Sequence, residues 1–317
     1  MTKIRWGVLG VAKIATTKVI PAMQRASNVD VRAIASRDLS KAQAAAMQLG
    51  IPTAYGSYEE LLEDPFIDAI YNPLPNHLHV PMSIRAAQAG KHVLCEKPIA
   101  LSVAQTRELI AARDKAGVKI GEAFMARTHP QWLRAAQLVR EGRIGELRVV
   151  SGYFSYFNRD PQNVRNIADI GGGGIMDIGC YPITLSRMLF AAEPLNVHAF
   201  LDRDPEFKTD RLASVILQYA AGHASFTCST QLVPYQKMHI FGTTGHIEIE
   251  IPFNAPPDKP TRIFVNDVVE EFPVCDQYTI QGELFARAIL ENTEVPVPLE
   301  DALKNMAVIE KILASRL

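Results

Sequence analysis

The chain has 317 residues, 48% hydrophobic and 21% charged, with 33 Lys+Arg against 34 Asp+Glu for a formal net charge of -1. That composition excludes disorder and low complexity, and the balanced charge lacks the basic surplus a nucleic-acid binder needs. No apolar run approaches the ~20 residues of a membrane span, so no membrane partner is expected. Length alone implies about two domains. MTKIRWGVLG has a basic flank but too short an apolar run for a signal peptide, and reads as a first strand. Through residue 124, short β-rich runs alternate with amphipathic helical stretches. IRWGVLG predicts a strand and Lys13 to Met23 a helix; VRAIAS is the second strand, followed by a helix from Ser40 to Leu49 that stops at Gly50. TAYG is the third strand, and Ser57 with Glu60 forms a capping box for the helix YEELLE. AIYN is the fourth strand, Val80 to Ala89 a helix closed by Gly90, and HVLCEK the fifth strand. Ser102 with Gln105 caps a helix that reaches Ala116 and ends at Gly117, and KIGEAF is the sixth strand. Strands joined by helices in this way predict a parallel, doubly wound sheet.

After Phe124 the rhythm changes. One helix, Gln131 to Arg140, precedes the strand LRVVSGYFSYF, and the glycines Gly171 to Gly174 lead into another helix. From Asn196 most of the chain reads as strands: VHAFLD, ASVILQYA, ASFTCST, KMHIFG, HIEIEI and TRIFV. Successive strands without helices favour an antiparallel sheet. A final helix spans Leu299 to Leu317 and packs in either domain. The predicted class is therefore α/β: a Rossmann domain over 1–124, then an α+β domain over 125–317 on a large, open, mostly antiparallel sheet. Alternating apolar strands near the C-terminus imply that the open sheet is covered, most simply by a second copy, giving a homodimer or higher homo-oligomer. Cys95, Cys180, Cys228 and Cys275 form no CxxC pair, which predicts reduced thiols in a cytoplasmic protein. Histidines and cysteines show no ligand spacing, so no metal is expected.

The first strand-to-helix turn reads Gly10-Val11-Ala12-Lys13-Ile14-Ala15, a degenerate G-x-G-x-x-G/A fingerprint with alanine at its second and third positions. A plain turn would read the same way, but the placement at the first strand end, opening a helix, suits an anion. After the second strand, where an NAD site usually carries an acid, stand Ser36 and Arg37, with Lys41 one turn on. A hydroxyl, a guanidinium and an ammonium suit a 2′-phosphate, so NADP(H) is preferred and NAD(H) kept as the alternative, since Asp38 could contact ribose instead. PLPNHLH, with Pro75, Asn76 and His79, follows the fourth strand, and Glu96-Lys97-Pro98 the fifth, both at carboxyl ends where ligands of open α/β sheets sit. Pro98 biases Lys97 toward extended backbone, and Glu96 is placed to orient a neighbour. In the second domain Asp177 and Tyr181 are four apart and share a helix face, while Pro182 predicts a local distortion. A carboxylate, a phenol and Lys97 would make an acid–base group; a capping Asp and a buried Tyr would leave the same spacing.

Together the fingerprint at Gly10, PLPNHLH, GKHVLCEKP, EAFMARTHPQ and GGGGIMDIGCY resemble the Gfo/Idh/MocA family of oxidoreductases. Tyr181 after Asp177 resembles the branch of glucose–fructose oxidoreductase, NADP xylose dehydrogenase and dimeric dihydrodiol dehydrogenase. The Trp-Arg pair common in that branch is Val164-Arg165 here. The resemblance implies a catalytic Lys97, Tyr181 as acid/base with Asp177 beside it, and Arg127, His129 and Arg165 in segments that line the substrate cleft. It also implies a cofactor held by Gly10, Ala12, Lys13, Ile14, Ser36, Arg37, Lys41, Pro75, Asn76, His79, Glu96 and Lys97. The expected reaction is hydride transfer between the nicotinamide and a hydroxyl-bearing carbon of a sugar, polyol or cyclic diol. Free Tyr and Lys titrate near ~10 and ~10.4, so each needs its neighbours to act at neutral pH. The alternatives are a related enzyme that retains its cofactor, for glycoside cleavage or internal redox, and a non-catalytic NADP(H)-binding sensor.

Overall fold

The computed structural model describes residues Thr2–Ser315; Met1 and the last two residues of the predicted C-terminal helix, Arg316 and Leu317, lie outside them. The chain forms two compact units, Met1–Met125 with Asp276–Leu303, and Ala126–Cys275 with Lys304–Leu317. The elements of the first stretch are β1 (Ile4–Leu9), a π-wound turn Ala15–Val19 running into α1 (Ile20–Met23), β2 (Val29–Ala35), α2 (Leu39–Leu49), β3 (Thr53–Tyr55) and α3 (Tyr58–Glu63). They continue with β4 (Ala69–Asn72), α4 (His79–Gln88), β5 (His92–Glu96), α5 (Val103–Ala116) and β6 (Ile120–Ala123). The six strands are parallel in the order β3-β2-β1-β4-β5-β6, the doubly wound order of dinucleotide-binding domains.

Alternation along each strand divides its side chains between two cores. Val8, Ile34, Tyr71 and Leu94 face one layer with Trp6, while Leu9, Ala33, Ile70 and Val93 face the other. The N-caps are as the sequence predicts: Glu60 N–H donates to Ser57 Oγ at 3.2 Å and Gln105 N–H to Ser102 Oγ at 3.1 Å. The Glu60 carboxylate, however, accepts from Gly56 N–H at 3.1 Å, one residue before the amide a capping box would use. The helix predicted over Lys13 to Met23 is helical throughout, with its second turn, Ala15–Val19, π-wound. There the hydroxyls of Thr16 and Thr17 donate to the Ala12 and Lys13 carbonyls at 3.3 and 2.7 Å, competing with the helical ladder.

The second unit contains α6 (Pro130–Arg140), β7 (Leu147–Phe157), a π-wound turn Ile175–Gly179 running into α7 (Cys180–Phe190), β8 (Asn196–Arg203), β9 (Asp210–Gln218) and β10 (His223–Ser229). β11 (Gln231–Gly242), β12 (His246–Ile249), β13 (Thr261–Val265) and β14 (Val268–Phe272) complete its eight-stranded sheet, ordered β14-β13-β12-β11-β7-β10-β9-β8. Every pair is antiparallel except β7 with β10, whose connection runs through α7, β8 and β9 and so need not reverse direction. The distortion expected near Pro182 is the π-wound stretch just ahead of it, where the ladder is already shifted. Register places Tyr153, Thr227, Ser214 and Phe200 in one row across β7, β10, β9 and β8, on the face opposite the buried Phe154, Phe226 and Val215.

The chain then returns to the first unit. Helix α8 (Gln277–Leu290), capped by Asp276, inserts Phe285 into the layer containing Trp6, with ring centroids 5.6 Å apart. The last helix α9 (Leu299–Leu313) starts in the first unit, with Leu299 and Ala302 in its other core, and ends in the second. A division at residue 124 alone therefore leaves out Asp276–Leu303, which the apolar faces of α8 and early α9 bind to the nucleotide-type sheet.

Candidate active site

In the first unit, Gly10 ends β1 with φ +84 and donates its N–H to the Ala35 carbonyl at 2.7 Å. A side chain there would be strained and would meet Leu74 Cδ2 at 2.9 Å, so the turn demands glycine. Beyond it Ala12 and Ile14 are half-buried and Lys13 is exposed. No side chain caps the π-wound turn that follows, and a helix start at this place suits an anion. At the end of β2, Ser36 is half-buried while Arg37 and Lys41 are exposed. Asp38 is committed to capping α2: its Oδ1 accepts from Ser40 N–H at 3.0 Å and Ser40 Oγ at 2.6 Å. The Ser40 hydroxyl, with the Lys41 amide, holds its carboxyl below the usual range. Lys41 Nζ lies 3.8 Å from Asp38 Oδ2, which leaves Arg37 as an exposed cation at the end of β2 with no acid paired to it among the described residues.

The turns after β4 and β5 are tied together. Asn72 is wholly buried, its amide donating to His79 O and Ser83 Oγ at 3.1 Å and its carbonyl accepting from Leu74 N–H at 3.3 Å. Pro75 starts the short helical turn Asn76–Leu78. His79 is buried between two carbonyls, with Nδ1 2.8 Å from Pro98 O and Nε2 2.6 Å from Leu74 O. Burial lowers its pKa to about 4. It thus acts from beneath the PLPNHLH and EKP turns, whose Lys97–Pro98 peptide is cis. Glu96 takes the Tyr71 hydroxyl at 2.7 Å on one oxygen and the Lys97 amide at 3.4 Å on the other. Burial first, then the Glu96 charge, push the Tyr71 hydroxyl well up, so it remains a donor.

In the second unit, the π-wound turn carries Asp177 and α7 carries Tyr181. Asp177 Oδ2 accepts from Arg165 Nε at 2.7 Å and from the Tyr156 hydroxyl at 2.6 Å, with the carboxylate side chain only 13% exposed. Asp177 holds the Arg165 guanidinium above its ordinary range, and burial raises the Tyr156 hydroxyl, so both partners stay protonated donors. Tyr181 is 5% exposed and packs on Phe154 and Phe253, with centroids 5.8 and 5.4 Å away. Arg127 donates to Thr184 Oγ1 on α7 at 2.9 Å.

His129 differs from its expected place on a cleft wall. It is 0% exposed, caps α6 by accepting the Gln131 amide on Nδ1 at 3.3 Å, and lies 3.5 Å from Cys275 Sγ through Nε2. Burial lowers its pKa to about 4. A ring used as a helix cap and enclosed on all sides has no surface left for substrate. Conversely, the Tyr156 hydroxyl engages the Asp177 carboxylate, although strand alternation alone marks Tyr156 only as part of β7. Among the described residues no group of three or more His, Cys, Asp or Glu is arranged to hold a metal, and no helix is long and apolar enough to cross a membrane.

A dinucleotide-type turn in one unit and a clustered carboxylate, guanidinium and phenols in the other define the class of a nicotinamide-cofactor oxidoreductase. Residues 4–124 match the model of the oxidoreductase family with an NAD-binding Rossmann fold, and 132–248 match the GFO/IDH/MocA C-terminal domain. The chain belongs to the GFO/IDH/MocA family of oxidoreductases. It is 39% identical over 317 residues to D-xylose 1-dehydrogenase (NADP(+)) 2 of Haloferax volcanii, covering 98% of this chain and 96% of that protein. It is 34% identical over 275 residues to trans-1,2-dihydrobenzene-1,2-diol dehydrogenase of Mus musculus, covering 85% and 80%. The structure of KijD10, a 3-ketoreductase from Actinomadura kijaniata in complex with NADP and TDP-benzene, superposes with a TM-score of 0.91 at 30% identity, covering 98% and 97%.

Proposed function

We propose that this protein is an NADP(H)-dependent dehydrogenase acting on a hydroxyl-bearing carbon of a sugar, polyol or cyclic diol. The observation that carries the reading is the state of Asp177. Its Oδ2 already accepts a guanidinium N–H and a phenol O–H, so it positions rather than abstracts. Tyr181, four residues on along the same helical run, is then the group that takes the substrate hydroxyl proton on oxidation and returns it on reduction. Bound at the Gly10 turn, the nicotinamide cofactor supplies the hydride chemistry. Arg37 and Lys41 hold its 2′-phosphate, and Lys97, set at the end of β5 by the Glu96 and His79 bonds, is the catalytic lysine that the family resemblance implies.

Tyr153, Phe200, Ile216, Tyr235 and Phe241 are 52%, 67%, 48%, 51% and 41% exposed on the eight-stranded sheet. An aromatic face of this kind supports a homodimer closed through the sheet, and a monomeric mass in solution would refute it. The four free cysteines support a reducing, cytoplasmic setting. The reading is tested by NADPH formation from NADP+ with aldoses, alditols, inositols and trans-diols, alongside Lys97→Met and Tyr181→Phe. Turnover lost in both variants supports it. Full turnover in Tyr181→Phe with loss in Lys97→Met would transfer the proton step to the lysine, and NADPH binding without turnover of any substrate would refute an exchanging dehydrogenase.

A further inference from the structure

Asp210, the first residue of β9, is a buried carboxylate that no step of the proposed reaction uses. It is 2% exposed, yet its Oδ2 accepts the Ile175 amide at 2.6 Å, at the entrance of the helical run that carries Asp177 and Tyr181. The glycines around it are shaped to its oxygens. Gly173 has φ +120, and a side chain there would stand 2.1 Å from Asp210 Oδ1; at Gly174 the distance to Oδ2 would be 3.3 Å. The preceding loop is tied to the same point, since Gly173 N–H donates to the Arg165 carbonyl at 2.9 Å and Asp177 N–H to the Gly173 carbonyl at 3.1 Å. Arg165, Gly173, Asp177 and the helix start are therefore linked through backbone bonds that converge beside one carboxylate.

We propose that Asp210 is a positioning residue: by holding the first amides of this helical run it fixes the placement of Asp177, its partner Arg165 and Tyr181 toward substrate. The inference rests on the reading of Tyr181 as the proton carrier. An anion at a helix start also opposes the positive end of the helix dipole, which adds to the hold. The titratable groups that feel its charge are Arg203 on the neighbouring β8 and the Cys228 thiol on β10; Arg211, next along β9, is engaged by Asp202 and lies near Asp204. Burial raises the Asp210 pKa to about 6, against the pull of the Ile175 amide. Protonation turns charge-assisted bonds into weaker neutral ones, so the hold loosens on mild acidification.

The test uses the full-length protein with NADP(H). Asp210→Asn keeps the shape but loses one acceptor oxygen; kcat is expected to fall about tenfold or more while NADP(H) affinity stays unchanged. An acid limb of kcat near pH 6 in the wild type should be absent in the variant. An unchanged kcat, or the same limb in Asp210→Asn, would overturn the proposal. Hydrogen exchange of wild-type peptides covering 173–182 gives a second reading that needs no variant. After correction for intrinsic rates, protection there should drop about tenfold between roughly pH 7.5 and pH 5; unchanged protection would overturn it. Tyr181→Phe run in parallel separates the two ideas: full turnover there removes the proton carrier, whereas the exchange result judges Asp210 by itself.

Discussion

Acidification should act on the first unit through His79. Its ring is 1% exposed, and burial lowers its pKa from 6.5 to about 4 even though both nitrogens face carbonyls. The unfolded chain therefore takes up the proton first: the stability is fully present above about pH 6.5 and is lost as the pH falls toward 4. With those two values, linkage gives a loss of about 2 kcal/mol at pH 5 and about 3 kcal/mol at pH 4 from this one group. The measurement is urea unfolding of the wild type and His79→Asn, whose amide does not titrate, at pH values from about 7.5 down to 5. Between those limits the wild type should lose about 2 kcal/mol more than the variant. Parallel curves would refute the reasoning, because they would mean that the Pro98 and Leu74 carbonyls hold the ring as an imidazolium and outweigh its burial. A proton-NMR titration of the His79 ring in the folded protein reads the same quantity directly.

Tyr181→Phe should lower kcat by about 100-fold or more with little change in KM, the usual size of a lost general acid–base group; stopped-flow or steady-state NADPH absorbance reads it. Arg37→Asp should weaken NADPH binding by roughly 10- to 100-fold while sparing NADH, since it removes a charge-assisted bond to phosphate, and a titration of NADPH fluorescence checks this. Gly173→Ala, forced to φ +120 with its methyl 2.1 Å from Asp210 Oδ1, should cost about 2 kcal/mol or more and lower the melting temperature; a melting temperature equal to wild type would show that the glycine run yields without strain.

The nucleotide-type half was largely legible because its signals are local. Strand alternation, the Ser57 and Ser102 caps and the terminal glycines Gly50 and Gly117 each act within a few residues, and the structure uses them that way. The same holds for β7, read at its full extent Leu147–Phe157. What escaped depends on partners distant in the chain. Helix α8 buries Gln277, Gln281 and Gly282 along with Phe285, so its polar residues blur the apolar stripe that would have marked it, and β14 has only five residues with mixed exposure. Asp177 was picked out by spacing, but that it is an acceptor already in use follows only from Tyr156, 21 residues earlier, and Arg165, 12 earlier. His129 stood in a family-like segment, and nothing in THPQ distinguishes a ring on a cleft wall from one folded back as a cap. Asp210 lies 35 residues from Ile175, a separation across which no periodicity operates.

The path of the chain also bears on how the protein is made. The nucleotide-type unit is assembled from Met1–Met125 and Asp276–Leu303, so its sheet is complete early while its α8 layer comes last. On a ribosome adding ~5–20 residues per second, the intervening 126–275 segment emerges before Phe285 can reach Trp6. Until then the layer around Trp6 is covered by residues of α1 and α2 such as Ile20, Met23, Ala45 and Ala46, and lacks only the α8 contribution of Phe285, Ala286 and Ala288. A nonsense or frameshift lesion late in the gene, before the codon for Gln277, would leave an intact fingerprint turn on a sheet that lacks its α8 cover, and proteolysis rather than lost chemistry would be the first symptom.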